Sequence, residues 1–169
     1  MQFELERKGG FLIDPLGNRV FILSAESYGY LVKNMLYTFG TGAQTILYNM
    51  GVYAKKRIET FKTSQPTDRE TLLEVARKLF EFSGWGEITF VPVQDYPFQM
   101  SAIVEHCVFA SSLEAPGESN LPTCDFLRGG LVGGLGNIFD KMLSVEEVRC
   151  SSRGDPHCRF EVTEQKDSH

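Results

Sequence analysis

The stretch EEVRCSSRGDPHCRF, residues 146 to 160, decides how the rest of the chain is read. Gly154, Asp155 and Pro156 are turn formers. The flanking segments SVEEVRC and CRFEVTE have the composition of strands, so the stretch reads as a hairpin with Cys150 and Cys158 on either side of its turn. Two thiols brought to one end of a sheet are a disulfide, a pair of metal ligands or two small core residues. Which of these holds bears directly on function.

Composition narrows the choice. A chain of 169 residues, 42% hydrophobic and 23% charged, can bury a proper core as one soluble domain. Its formal charge of −5 argues against general nucleic-acid binding, which needs a dominant basic surface. No apolar run approaches the roughly 20 residues of a membrane span, and the opening MQFELERKGG lacks the apolar core of a signal peptide. The expected location is therefore a reducing cytoplasm. There, four cysteines are core residues, reactive groups or metal ligands rather than disulfides.

Upstream of the hairpin the chain reads as α+β. Residues 3–23 form short extended segments broken at Gly9-Gly10 and at the turn Asp14-Pro15-Leu16-Gly17-Asn18, an N-terminal hairpin. Ser24 caps a long helix whose apolar face is Leu31, Met35, Phe39, Ile46, Met50, Tyr53 and Ile58, interrupted at Gly40, Gly42 and Gly51. Thr67 and Glu70 make a capping box for a second long helix that ends at Gly84. Two strands follow Trp85 and turn near Asp95-Tyr96-Pro97, then a polar loop, EAPGESNLPT. A third helix presents Leu127, Leu131, Leu135, Ile138 and Met142 on one face before the C-terminal hairpin. The expectation is a single α+β domain over residues 1–164, with an antiparallel sheet, and a tail at 165–169.

The third helix carries Gly129, Gly130, Gly133, Gly134 and Gly136. At roughly 1 kcal/mol of helix propensity each, these five must be compensated, either by close packing of a backbone or by a ligand lying in the groove they leave. Phe98, Met100, Val104 and His106 alternate on one strand face opposite that helix. They outline an apolar cavity in which His106 would orient a polar group, with Trp85 as a wall or a plug. Cys124 opens the third helix, where the dipole favours a thiolate. With Cys150 and Cys158 it makes a candidate zinc site whose fourth ligand is Glu146, Glu147 or His157. A catalytic Cys/His pair of Cys107 with His106 is discounted, because neighbours in a strand face opposite ways. No Ser/His/Asp arrangement or dinucleotide fingerprint is present, which argues against an enzyme.

Cys124, Gly129-Gly130, Glu147-Val148-Arg149-Cys150, Gly154-Asp155 and Cys158-Arg159-Phe160 together resemble the 4-vinyl reductase domain. That family is similar to the sensor domains of phenol- and toluene-responsive transcription activators, and more distantly in fold to subunits of a vesicle-tethering complex. The resemblance implies a structural zinc held by Cys124, Glu147, Cys150 and Cys158. It also implies a hydrophobic ligand such as an aromatic, a lipid or a tetrapyrrole, and a homodimer that signals through a separate protein partner. The family's name implies a second reading, an enzyme or accessory protein in tetrapyrrole vinyl reduction, and the tethering relatives a third, a ligand-free assembly module. In a flat strand residues 147 and 150 face opposite ways, so Glu147 can serve only if the strand bulges or Cys150 already lies in the turn; Glu146 is the alternative.

Overall fold

The structure, a computed structural model, describes residues 4–53, 55–64, 66–112 and 124–165. The polar loop over 114–123 and the tail beyond Gln165 lie outside the described residues. Strands β1 (Glu6–Lys8), β2 (Phe11–Ile13) and β3 (Arg19–Val20) form a small antiparallel sheet. Helices α1 (Ala25–Phe39), α2 (Gly42–Val52), α3 (Lys55–Ser64) and α4 (Arg69–Phe82) follow. Then come β4 (Glu87–Gln94), β5 (Gln99–Glu105), the short α5 (Val108–Ser111), α6 (Asp125–Phe139), β6 (Leu143–Arg149) and β7 (Cys158–Glu164). These four strands make a second antiparallel sheet in the order β4-β5-β7-β6, so the fold is α+β.

The long first helix of the sequence reading is three helices. Ser24 caps α1 as expected, its Oγ accepting from the Ser27 amide at 3.1 Å. Gly40 ends the helix with φ 54, a conformation glycine adopts without steric cost. The break resets the helical phase, and the buried stripe moves to Gly29, Val32, Ala43, Leu47 and Gly51, with Ile58 and Phe61 in α3. Phe39, Met50 and Tyr53, expected on the core face, are exposed. The small residues are inside because they let backbones touch, and the large ones are left outside. Two further corrections concern helix ends. Asp68, not Thr67, caps α4, accepting from the Thr71 amide at 2.8 Å. Met142 lies beyond the end of α6, where Asp140 takes φ 54, and is exposed. Leu127, Leu131, Leu135 and Ile138 are buried as expected.

Helix α6 runs over the second sheet with α2 across its back. The glycines of α6 divide into two kinds. A Cβ added at Gly129 would come within 1.9 Å of the Tyr48 carbonyl oxygen, and one at Gly133 within 2.4 Å of the Val52 oxygen. On α2, a Cβ at Gly51 would meet the Phe126 oxygen at 1.9 Å. Here backbone packs on backbone. Gly130 faces only the Gly51 oxygen at 3.8 Å and the Trp85 ring at 3.9 Å, and Gly134 has nothing within 4 Å. These two look onto open space. Gly129→Ala is expected to push α2 from α6 and cost about 3 kcal/mol or more in urea unfolding. Gly134→Ala, in the same helix, is expected to leave stability unchanged or raise it by up to ~1 kcal/mol.

Candidate functional site

The C-terminal hairpin and the start of α6 bring four donors together. The ligand atoms of Cys124, Glu147, Cys150 and Cys158 all lie within 4.8 Å of one another. Cys124 Sγ is 3.8 Å from Cys150 Sγ and 3.9 Å from Cys158 Sγ. All three sulfurs are buried, and none is in a disulfide.

Local structure explains the convergence. Glu147 pairs with Phe160, but Arg149 pairs with Arg159, so β6 spends one extra residue at Val148. That bulge turns Cys150 to the face already occupied by Glu147, which removes the parity conflict of a flat strand. Glu146 pairs with Glu161 and is exposed on the other face. His157, half-buried, is not among the four clustered donors. The turn is fixed by Gly154 with φ 91 and by Asp155, whose Oδ2 accepts from the Cys150 amide at 2.8 Å. The Ser151 amide donates to Cys158 Sγ at 3.4 Å, a contact that favours the thiolate. Cys124 is the residue before α6, with the helix N-terminus behind its sulfur.

Two groups in the cluster are out of balance without a cation. Glu147 Oε1 is buried with no hydrogen-bond partner. Burial first, then the Cys150 sulfur beside it, push its carboxyl up to about 8. Cys124, hydrogen-bonded by Cys107, Cys150 and Cys158, is held well above the usual thiol range. A divalent cation would offset both penalties, because it favours the anionic form of each donor. Soft thiolates with one carboxylate suit zinc.

Strict strand alternation speaks only against a Cys107–His106 pair, and the structure places Cys107 beside the cluster. Its sulfur is 3.7 Å from Cys124 Sγ. Strand β5 ends at Glu105, and His106 takes φ 54, which turns Cys107 inward. The same turn corrects the reading of His106, whose side chain is exposed and lines no cavity.

A cavity of about 70 Å³ is walled by α3, α4, β4 and α6. Trp85, Gly130 and Gly134 line it. Phe98, Met100 and Val104 are buried in the core and form no part of its wall. Ile58, Leu79, Phe80, Ile88, Leu131 and Leu135 supply the apolar surface. The polar group in the wall is Arg57, which nothing in the run Lys55-Lys56-Arg57 distinguishes from a solvated helix face. Its Nη2 donates to buried Asp14 at 3.1 Å and its Nη1 to Ser83 Oγ at 3.0 Å, while its Nε is buried without a partner. Asp14 also accepts from the Leu16 and Asn18 amides, so Arg57 fastens the turn between β2 and β3 to the helices around the cavity.

Comparison with known proteins gives one domain match and three likenesses. Residues 100–164 match the 4-vinyl reductase domain. An uncharacterized protein of Methanocaldococcus jannaschii is 29% identical over 127 residues, covering 73% of this chain and 68% of that one. The phenol-responsive sensory domain of the transcription activator PoxR, solved with phenol, superposes with a TM-score of 0.80 at 19% identity, over 96% of this chain and 87% of that one. A trafficking protein particle complex subunit 3 from Naegleria fowleri, covalently bound to palmitic acid, has a TM-score of 0.64 at 19% identity, over 84% and 93%. At these identities the two structures share the fold with this chain. No helix among the described residues is long and apolar enough to cross a membrane.

Proposed function

We propose that the chain, whose residues 100–164 match the 4-vinyl reductase domain, is a zinc-stabilised binding module, a sensor or carrier for a hydrophobic small molecule, built as one domain over residues 1–164. The observation that carries this reading is the division of the α6 glycines. Gly129 and Gly133 are occupied by the α2 backbone, whereas Gly130 and Gly134 border an apolar cavity that no side chain fills.

Zinc would be held by Cys124, Glu147, Cys150 and Cys158, and its chemistry there is structural. Three thiolates and a carboxylate complete a tetrahedron with no position left for water. The site would clip the start of α6 to the last hairpin, and so hold in place the helix that forms the cavity's glycine wall. The geometry supports no catalytic role for it.

The ligand must be mostly apolar, because Arg57 is the polar residue in an otherwise apolar wall. Its size is constrained too. A cavity that takes benzene measures roughly 150 Å³. At about 70 Å³ this one must enlarge before a ring enters. A homodimer fits the surface. Tyr30 and Tyr37 on α1 are exposed at 64% and 93%, Phe21 and Ile22 stand out just before it at 81% and 74%, and Tyr48 is half-buried on α2. Apolar and aromatic groups presented together in this way are the composition of an interface core. A separate protein partner would then receive the signal, and the cytoplasm is the compartment in which these thiols stay reduced.

Native mass spectrometry of freshly purified protein is expected to show one zinc per chain, lost in Cys150→Ser together with on the order of several kcal/mol of stability. Absence of metal from protein kept reduced would refute the zinc site. In calorimetry with phenol, a sixteen-carbon fatty acid and protoporphyrin, at least one is expected to bind the wild type, and Gly134→Leu is expected to abolish that binding while retaining zinc. If none of the three binds, a ligand-free assembly module becomes the better reading. Light scattering at micromolar concentration is expected to give a dimer, and Tyr37→Glu a monomer of unchanged fold.

A further inference from the structure

Beside the four mutually clustered donors stands a fifth, Cys107, whose sulfur meets that of Cys124, and a tetrahedral ion accepts only four. A zinc–thiolate bond of about 2.3 Å implies sulfur–sulfur edges of about 3.8 Å in a tetrahedron. Three separations from Cys124 match that edge: Cys107 at 3.7 Å, Cys150 at 3.8 Å and Cys158 at 3.9 Å. Cys107 also interacts with Cys158. It is buried and forms no disulfide. Glu147, by contrast, belongs to the cluster through Cys124, Cys150 and Cys158, and its Oε1 meets no hydrogen-bond donor.

Charge decides how five donors share one ion. A dication with four anionic ligands already leaves the buried site with a net charge of about −2, and a fifth anion in the same low-dielectric space would be prohibitively costly. One donor must stay neutral. Either Glu147 ligates while Cys107 remains a thiol donating S–H to the Cys124 sulfur, or Cys107 ligates as thiolate while Glu147 keeps its proton. Both sets share the Cys124, Cys150 and Cys158 triangle and differ only in the fourth vertex. The exchange is balanced within the site: one proton passes from the entering ligand to the leaving one.

Resting on the zinc reading above, we propose that Cys107 is an alternate fourth ligand, so that the metal exchanges between a three-thiolate, one-carboxylate set and an all-thiolate set. The placement gives Cys107 reach into the rest of the molecule. It immediately precedes α5, and the next amide, that of Val108, donates to the carbonyl of Trp85 at 3.2 Å.

The test uses the full chain, with zinc content measured by elemental analysis and ligand type read from cobalt-substituted protein. Glu147→Gln is expected to keep about one metal per chain, with a sulfur-to-cobalt band about one third more intense than a three-thiolate site gives, as four thiolates replace three. Cys107→Ser is expected to keep the metal through Glu147. The double variant Cys107→Ser/Glu147→Gln is expected to lose affinity by on the order of 100-fold or more relative to either single variant, a loss at the upper end of what supporting groups around a metal produce. If Glu147→Gln and the double variant have the same metal content and the same three-sulfur spectrum, Cys107 is not a ligand and the inference fails, while the zinc site itself stands. If wild-type protein kept reduced takes up neither zinc nor cobalt, both fail together.

Discussion

Helix α6 touches α2 through bare backbone, and most of the architecture depends on that contact. With the Tyr48 and Val52 carbonyls lying where side chains would be at Gly129 and Gly133, the two helices approach more closely than any residue with a Cβ would allow. The close approach fixes the rotation of α6 about its own axis. Leu127, Leu131, Leu135 and Ile138 are then buried, Gly130 and Gly134 border the space between α3, α4 and β4, and Cys124 is delivered to the end of the C-terminal hairpin. Core, cavity and sulfur cluster are set by one helix orientation. Five glycines in eight positions cost several kcal/mol of helix propensity. The long-range packing of α6 on α2 and the sheet offsets this, as tertiary burial commonly does for weak helix formers.

Much of this is legible in the chain, and the failures have definite causes. The hairpin can be read because Gly154 and Asp155 have turn chemistry and the flanking strands have strand composition. The four clustered donors can be named because their spacing resembles a known domain. What no pattern reveals is a bulge: Val148 is unremarkable in sequence, yet the extra residue there is what puts Glu147 and Cys150 on one face. The end of β5 misleads in the opposite way, because strict alternation holds only while the strand lasts. Once His106 turns to φ 54, alternation no longer applies, so the histidine expected inside is outside and the cysteine expected outside is inside. In the first helices the large apolar residues point to the wrong face. Periodicity weighs residues by hydrophobicity, and it cannot see that Gly29, Ala43 and Gly51 are buried because they are small. Arg57 carries no local signal at all, since its partner Asp14 is 43 residues away.

The cavity and the cluster are also mechanically continuous. The Trp85 indole lines the cavity and packs edge-on against Phe109 at 5.3 Å and Phe126 at 5.4 Å between ring centres. Phe109 belongs to α5, two residues after Cys107, and Phe126 to the first turn of α6, two residues after Cys124. Tyr28 closes the far side, edge-on to Phe109 at 5.3 Å, with a buried hydroxyl that lacks a partner. Interiors are packed to crystalline density, so an occupant that displaces the indole must move the rings against it. Of the rings against it, Phe80 belongs to α4, and only Phe109 and Phe126 stand two residues from a thiol. Small shifts of α5 and of the α6 start would alter the Cys107–Cys124 separation, which already sits at a tetrahedral edge. A cavity too small for a ring is thus walled by the one tryptophan and backed by sulfur donors through two phenylalanines.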